Sequence, residues 1–435
     1  MYAQTMISTN TLSKKGGLFF RLPFQHGSFK LGIDTLNKFS DFRKPKHPYL
    51  RIQTRKISFL NELLIVGIIV GEEAEEMVYI KVKPLELLVS CSVDTDENYL
   101  GRYAYFALCD LLGASDECDF DEYYWPDFFD DKMQNKFLTT SKSKGGIKVI
   151  LKTIYRGLCK PVKYLPAVKR DKVMIRRKTA DIIPEALTTE EQLMGYCLLD
   201  TRSSKWHTNH VPSLISYTGI PSKDKISVKW FNNYILKPED LPDQELTAEQ
   251  QALKDICFLM GELSPVQYPK QKDSESKRVE LKKLNKANFS KVFALWHEAF
   301  PLLQSRRYTH YHFTYGMRNI KGKPVKSGMS PCTFSNEEAE LCFLWKEKSD
   351  YYKLELRFRI GCKLYELPSY FNASFFVASC MNPRKMHLLN SLMDCEILAL
   401  FGETNYRMLF LKVHYEAYFS CFVDQLRDTY EFIDK

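Results

Sequence analysis

The longest apolar run in the chain, Leu63-Leu64-Ile65-Val66-Gly67-Ile68-Ile69-Val70, is too short to cross a bilayer, which takes about 20 residues, and it is rich in β-branched side chains. It therefore reads as a buried strand. Around it lie Leu18–Leu22, Tyr49–Gln53 and Met77–Val82, the last two alternating with period 2, which gives one wet and one dry face. An antiparallel sheet is the simplest arrangement. Pro84 then suits a first helical turn, and Asp96 is placed to cap a helix whose stripe is Leu100, Tyr103, Ala104, Ala107, Leu108 and Leu111.

Strand patterns return at the far end. Lys353–Ile360 alternates cleanly, Ser374–Ala378, Ile397–Phe401 and Arg407–His414 are strand-like, and a closing helix carries Phe419, Phe422, Leu426, Tyr430 and Ile433. Between the two ends the pattern is mainly helical. Thr188-Thr-Glu-Glu191 and Thr247-Ala-Glu-Gln250 are capping boxes, the second ahead of Leu253, Ile256, Cys257, Met260 and Leu263. Residues 268–287 are Lys- and Ser-rich and read as an exposed linker into a helix through Phe289, Val292, Phe293, Trp296 and Phe300.

The expected fold is α+β: an N-terminal, mainly antiparallel sheet with helices, a helical middle region and a C-terminal α+β unit. In residue terms this is a β-rich α+β domain over 1–140, a basic connector over 141–185, a mainly helical region over 186–335 and an α+β domain over 336–435.

The 12 cysteines are scattered, mostly within apolar runs, and none forms a Cys-x-x-Cys pair. They read as buried free thiols, so no structural zinc, other metal or cofactor is expected. With no apolar core of a secretory signal at the N-terminus, a cytoplasmic location without membrane association is expected, although the absence of acids before Asp34 gives a faint transit-peptide character.

The net charge of +9 favours an acidic partner. Lys142 to Lys178 holds thirteen Lys or Arg against one acid, Asp171. Charge at this density draws phosphates through release of their condensed counterions, and Lys169, Arg170, Lys172, Arg176, Arg177 and Lys178 are the candidate contacts. The alternative is a solvated surface offsetting the acidic run before it.

A second basic segment, Arg306-Arg307-Tyr308 through Tyr311 to Arg318, Lys321 and Lys323, interleaves rings with cations as a base-stacking, phosphate-tracking strand would. Its alternative is a core strand, Tyr and Phe inward, beside a basic hairpin. Lys205 lies in a polar segment, Asp200–His210, that suits phosphate contacts better than a metal site, since His207 and His210 lack a third ligand.

The acidic-aromatic run at 116–131 does not follow the ligand spacing of a calcium loop. It reads as a docking element for a protein partner through Trp125, Phe128 and Phe129. No phosphate-binding Gly-x-x-x-x-Gly-Lys-Ser/Thr loop, dinucleotide fingerprint or Gly-x-Ser-x-Gly elbow is present.

The composite expectation is a non-enzymatic nucleic-acid-binding accessory protein that positions DNA or RNA, or a complex bound to it. The alternatives are a metal-dependent nuclease-like enzyme whose scattered carboxylates, Glu355 among them, come together only in the fold, and a pure protein-interaction subunit docking through 116–131; a nuclease core on Asp350 and Glu355-Leu-Arg357 would carry Arg where its pattern has Lys.

Overall fold

The computed structural model describes residues 18–25, 27–43, 51–129, 136–143, 146–161, 165–169, 193–201, 210–241, 245–270, 274–314, 320–367 and 374–434. The chain is α+β and divides into two compact units, one formed by residues 1–165 with 409–419, the other by 166–408 with 420–435. Among the described residues no helix is long and apolar enough to cross a membrane.

The first unit is built on β1 (Phe20–Pro23), β2 (Lys30–Gly32), α1 (Ile33–Lys38), β3 (Ile52–Leu60), β4 (Leu63–Val70), β5 (Glu76–Val82), β6 (Glu86–Cys91), α2 (Arg102–Leu112), β7 (Glu117–Asp119), β8 (Leu138–Ser143) and β9 (Gly146–Leu151). Five strands make an antiparallel sheet in the order β1-β6-β5-β4-β3. The apolar run is its fourth member and is buried along nearly its whole length. A strand that neighbours cover on both faces has no wet side to encode, which explains the lack of alternation.

Two local expectations change here. The residues after Pro84 form strand β6, because Leu87 and Val89 alternate into the core. Asp96 does not cap α2. Its carboxylate accepts the N–H groups of Asn98 and Tyr99 in a turn, and Gly101 stands at the helix start.

The second unit contains β10 (Leu193–Thr201), β11 (Ser213–Pro221), β12 (Val228–Ile235), α3 (Ala248–Leu263), α4 (Glu275–Leu303), β13 (Thr309–Thr314), β14 (Ser330–Phe334), β15 (Glu340–Glu347), β16 (Tyr351–Ile360), β17 (Lys363–Glu366), β18 (Phe376–Met381), β19 (Arg384–Leu388), α5 (Leu392–Gly402), the first two residues of β20 (Arg407–Leu411), α6 (Ser420–Thr429) and β21 (Glu431–Asp434). Its larger sheet has seven strands, β12-β11-β10-β13-β14-β19-β18, in which β10 and β13 run parallel, as do β14 and β19. A smaller sheet has the order β17-β16-β15-β21.

The two long helices of the middle region are present, and three strands over 193–235 accompany them. Thr247 caps α3 in a reciprocal box with Gln250. The other box, at 188–191, lies outside the described residues, and Leu193–Thr201 just beyond it is strand rather than helix.

On β11 both faces are covered. Ile215 and Tyr217 enter a cluster with Phe231, Tyr234, Ile320 and Met329, while the backbone N–H of Leu214 meets the Met260 sulfur of α3. Gly195, opposite Tyr217, is required there, since a Cβ would collide with the Tyr217 ring.

The Lys-rich stretch read as a linker is helical from Glu275, capped by the Ser274 hydroxyl. Ile397–Phe401, read as a strand, lies in α5, whose Ser391 cap bonds the Asp394 N–H. The closing helix ends at Thr429, and Ile433 belongs to β21, which pairs in parallel with β15.

Candidate nucleic-acid interface

The outer edge of the seven-stranded sheet concentrates basic and aromatic side chains. β12 turns Val228, Phe231, Tyr234 and Ile235 inward. Register shifts against β11 break the alternation and leave both Lys229 and Trp230 facing solvent. Trp230 is 55% exposed, and its cross-strand partner Ile220 is also exposed.

Residues 320–329 run antiparallel along this edge. The Gly322 carbonyl accepts the Tyr234 N–H at 2.8 Å, and Lys326 Nζ reaches the Lys229 carbonyl at 3.4 Å. Ile320 and Met329 are buried and anchor the segment at both ends, while Lys321, Lys323 and Lys326 stay exposed.

The ammonium of Lys323 lies 3.5 Å from the centroid of the Trp230 ring. At that distance the ring's negative face attracts the cation. Lys223 and Lys225 sit on the tight turn joining β11 to β12, where Ser222 N–H donates to the Ser227 carbonyl and the Lys225 carbonyl accepts from the Tyr308 hydroxyl.

Six lysines thus lie on β12, on the turn before it and on the segment beside it, with Lys323 over the indole. The acid within their turn is Asp224, whose carboxyl the Ser222 hydroxyl and the Ile226 N–H hold below the usual range. Among the described residues no ion pair joins Lys223, Lys229, Lys321, Lys323 or Lys326 to a carboxylate. Such a ledge can hold anionic oxygens by charge and a flat ring by stacking.

The expected site residues separate into three groups. Lys321 and Lys323 lie on the ledge, and Arg307 is exposed one residue ahead of Tyr308. Arg170, Lys172, Arg176, Arg177, Lys178, Lys205 and Arg318 lie outside the described residues. The remainder are placed differently from the expectation.

Tyr308 and Tyr311 are 4% and 5% exposed and do not offer stacking faces. β13 lies between β10 and β14 and buries Thr309, His310, Tyr311 and Thr314, as the core-strand alternative has it for the tyrosines, whereas Phe313 is 39% exposed rather than turned inward. The Tyr311 hydroxyl donates to buried Asp200 at 2.8 Å, with the Arg384 guanidinium 4.1 Å over its ring. Arg306 is largely enclosed and pairs with Glu249 at 2.5 Å. Lys169 borders a cavity of about 250 Å³ that also exposes Glu340, Asp394 and Glu431, so carboxylates already stand where its phosphate partner was expected.

The docking expectation at 116–131 is corrected as well. Trp125 and Phe128 are buried, with ring centroids 5.1 Å apart, and Phe129 packs on Phe59 at 5.8 Å. The Trp125 indole N–H donates to the Glu122 carbonyl, and Lys160 lies over its ring at 4.2 Å. Four of the run's acids are answered within the unit: Glu117 by Lys30, Asp121 by Lys160, Glu122 by Lys56 and Asp127 by His414. Apolar content overrode the local charge, and the rings went inward.

Glu355, the candidate nuclease carboxylate, lies between Lys353 and Arg357. Burial pushes its carboxyl up, but the Lys353 hydrogen bond and the charges of Lys353 and Arg357 outweigh burial and leave it below its ordinary value. It serves as the acid of an ion-pair network. Among the described residues no group of three or more His, Cys, Asp or Glu is placed to hold a metal ion. His210 is buried with Nδ1 2.8 Å from the Val211 carbonyl, and burial holds its pKa down.

Trp230, Lys223, Lys229 and Lys326 escaped the sequence reading. The available signal was Val228-Lys-Trp-Phe, where a charge and an indole side by side break the alternation of an edge strand. No protein-family model, curated protein or solved structure matches this chain.

Proposed function

We propose that this protein is a non-enzymatic nucleic-acid-binding accessory protein that positions DNA or RNA, or a complex bound to it, through the β12 ledge. The observation behind this reading is the set of five lysines without a carboxylate partner on the ledge that bears an exposed tryptophan. Like charges gathered on one face repel one another, and a polyanion relieves that repulsion while releasing its own counterions. The chain's net charge of +9 acts in the same direction at longer range.

The test is binding of the purified full chain to fluorescent DNA and RNA across a salt series. If three to six lysines engage phosphates, the logarithm of affinity falls with the logarithm of salt with a slope of roughly −2 to −5. Absence of binding at low ionic strength, or an affinity indifferent to salt, overturns the proposal.

A further inference from the structure

Resting on that reading, we infer that the ledge takes single-stranded nucleic acid, with Trp230 as the platform on which an unpaired base stacks. Three features of the edge carry this. The indole leaves more than half its surface to solvent although the rings beside it on β11 and β12, Tyr217, Phe231 and Tyr234, are buried. Its cross-strand neighbour Ile220 is 42% exposed, so the two form a continuous apolar step. That step is bordered by Lys229, Lys321, Lys323 and Lys326, so a flat apolar surface and phosphate-seeking charges lie within one ledge.

A duplex does not match this combination. Its bases are stacked inside the helix and its surface offers phosphates and sugars, so a docked duplex would engage the lysines and leave the apolar step wet. A single strand offers both parts, a base face for the indole and backbone phosphates for the surrounding ammonium groups. Every base has a π-face, so recognition of this kind tolerates any sequence. The chemistry is shared by single-stranded DNA and RNA, which differ here only in the sugar.

The experiment uses the full chain and labelled oligomers roughly 12 nucleotides long, within the usual range of single-strand site sizes. The four probes are single-stranded DNA, single-stranded RNA, the matching DNA duplex, and a DNA strand of equal charge lacking bases over its central half. Both single strands are expected to bind more tightly than the duplex and the base-free strand. Trp230→Ala is expected to weaken single-strand binding by about 5- to 150-fold and to leave duplex and base-free binding nearly unchanged. Trp230→Phe should retain most of the affinity.

A preference for one of the two single strands would assign the sugar. Unchanged single-strand affinity in Trp230→Ala overturns the inference, as does equal binding of the base-free strand. If the alanine triple at Lys321, Lys323 and Lys326 weakens every probe while Trp230→Ala weakens none, the stacking inference falls and the nucleic-acid reading stands. If no probe binds at low salt, both fall.

Discussion

Lys323 holds its ammonium 3.5 Å from the ring centroid of Trp230, on a ledge where neither residue is drawn into the core. The pair is built from the edge of a sheet and a segment laid along it, with buried Phe231 and Ile320 supplying the anchorage beneath. Exposed groups and supporting groups are therefore separate residues, adjacent along the chain.

That separation predicts a contrast in stability. Trp230→Ala should change unfolding free energy by no more than about 0.5 kcal/mol, as for a surface position. Phe231→Ala, one residue on, should cost about 3–5 kcal/mol, because it empties a buried site. Urea unfolding of the two variants checks this, and similar losses would show that Trp230 supports the fold.

Tyr311 tests the corrected assignment of β13. Removing its hydroxyl in Tyr311→Phe takes a hydrogen bond from buried Asp200 and should cost about 1–3 kcal/mol. Nucleic-acid affinity of the folded variant should equal that of the parent. A large affinity loss without a stability loss would return Tyr311 to the binding surface.

In the first unit, Phe128 is fully buried among Trp125, Phe137 and His414. Phe128→Ala should destabilise that unit by about 3–5 kcal/mol, read as an earlier unfolding transition. A variant that unfolds as the parent does would place this ring at a surface instead.

The fold should also weaken in mild acid. Burial among Tyr217 and Phe231 pushes His310 down to about 4, whereas in an unfolded chain it titrates near 6.5. As pH falls below about 6.5 the unfolded state gains a proton that the folded state refuses. Stability is thus lost progressively between pH 6.5 and 4, by up to about 3 kcal/mol. The carboxylates held below their ordinary range, among them Glu337 and Glu355, add their losses only at lower pH. Unfolding measured at pH 7.0 and 5.0 should show the drop, and His310→Gln should flatten it; an equal drop in that variant would assign it elsewhere.

Much of the fold was legible because its strongest signals are local. The run 63–70 could be little but a buried strand, and Lys353–Ile360 and the Thr247 box behaved as their patterns indicated. Misreadings fell where tertiary covering erased a period. Strands β10 and β11 are buried on both faces and showed no alternation, and Ile397–Phe401 carried β-like composition inside a capped helix.

The site was harder for the same reason. Clustered charge and rings mark a segment without saying which way they face. Tyr308, Tyr311, Trp125 and Phe128 followed their apolar area inward, whereas Trp230 stayed out because a register shift on an edge strand turned it.

The central claim is one of place, and two charge-matched variants test it. Alanine at Lys321, Lys323 and Lys326 removes three charges from the ledge, and alanine at Lys282, Lys283 and Lys286 removes three from the exposed N-terminal half of α4. Single-strand affinity measured across a salt series should fall sharply for the ledge variant, with a slope shallower by about 2, and change little for the helix variant. Equal losses in both, or a loss confined to α4, would contradict the β12 ledge as the nucleic-acid interface.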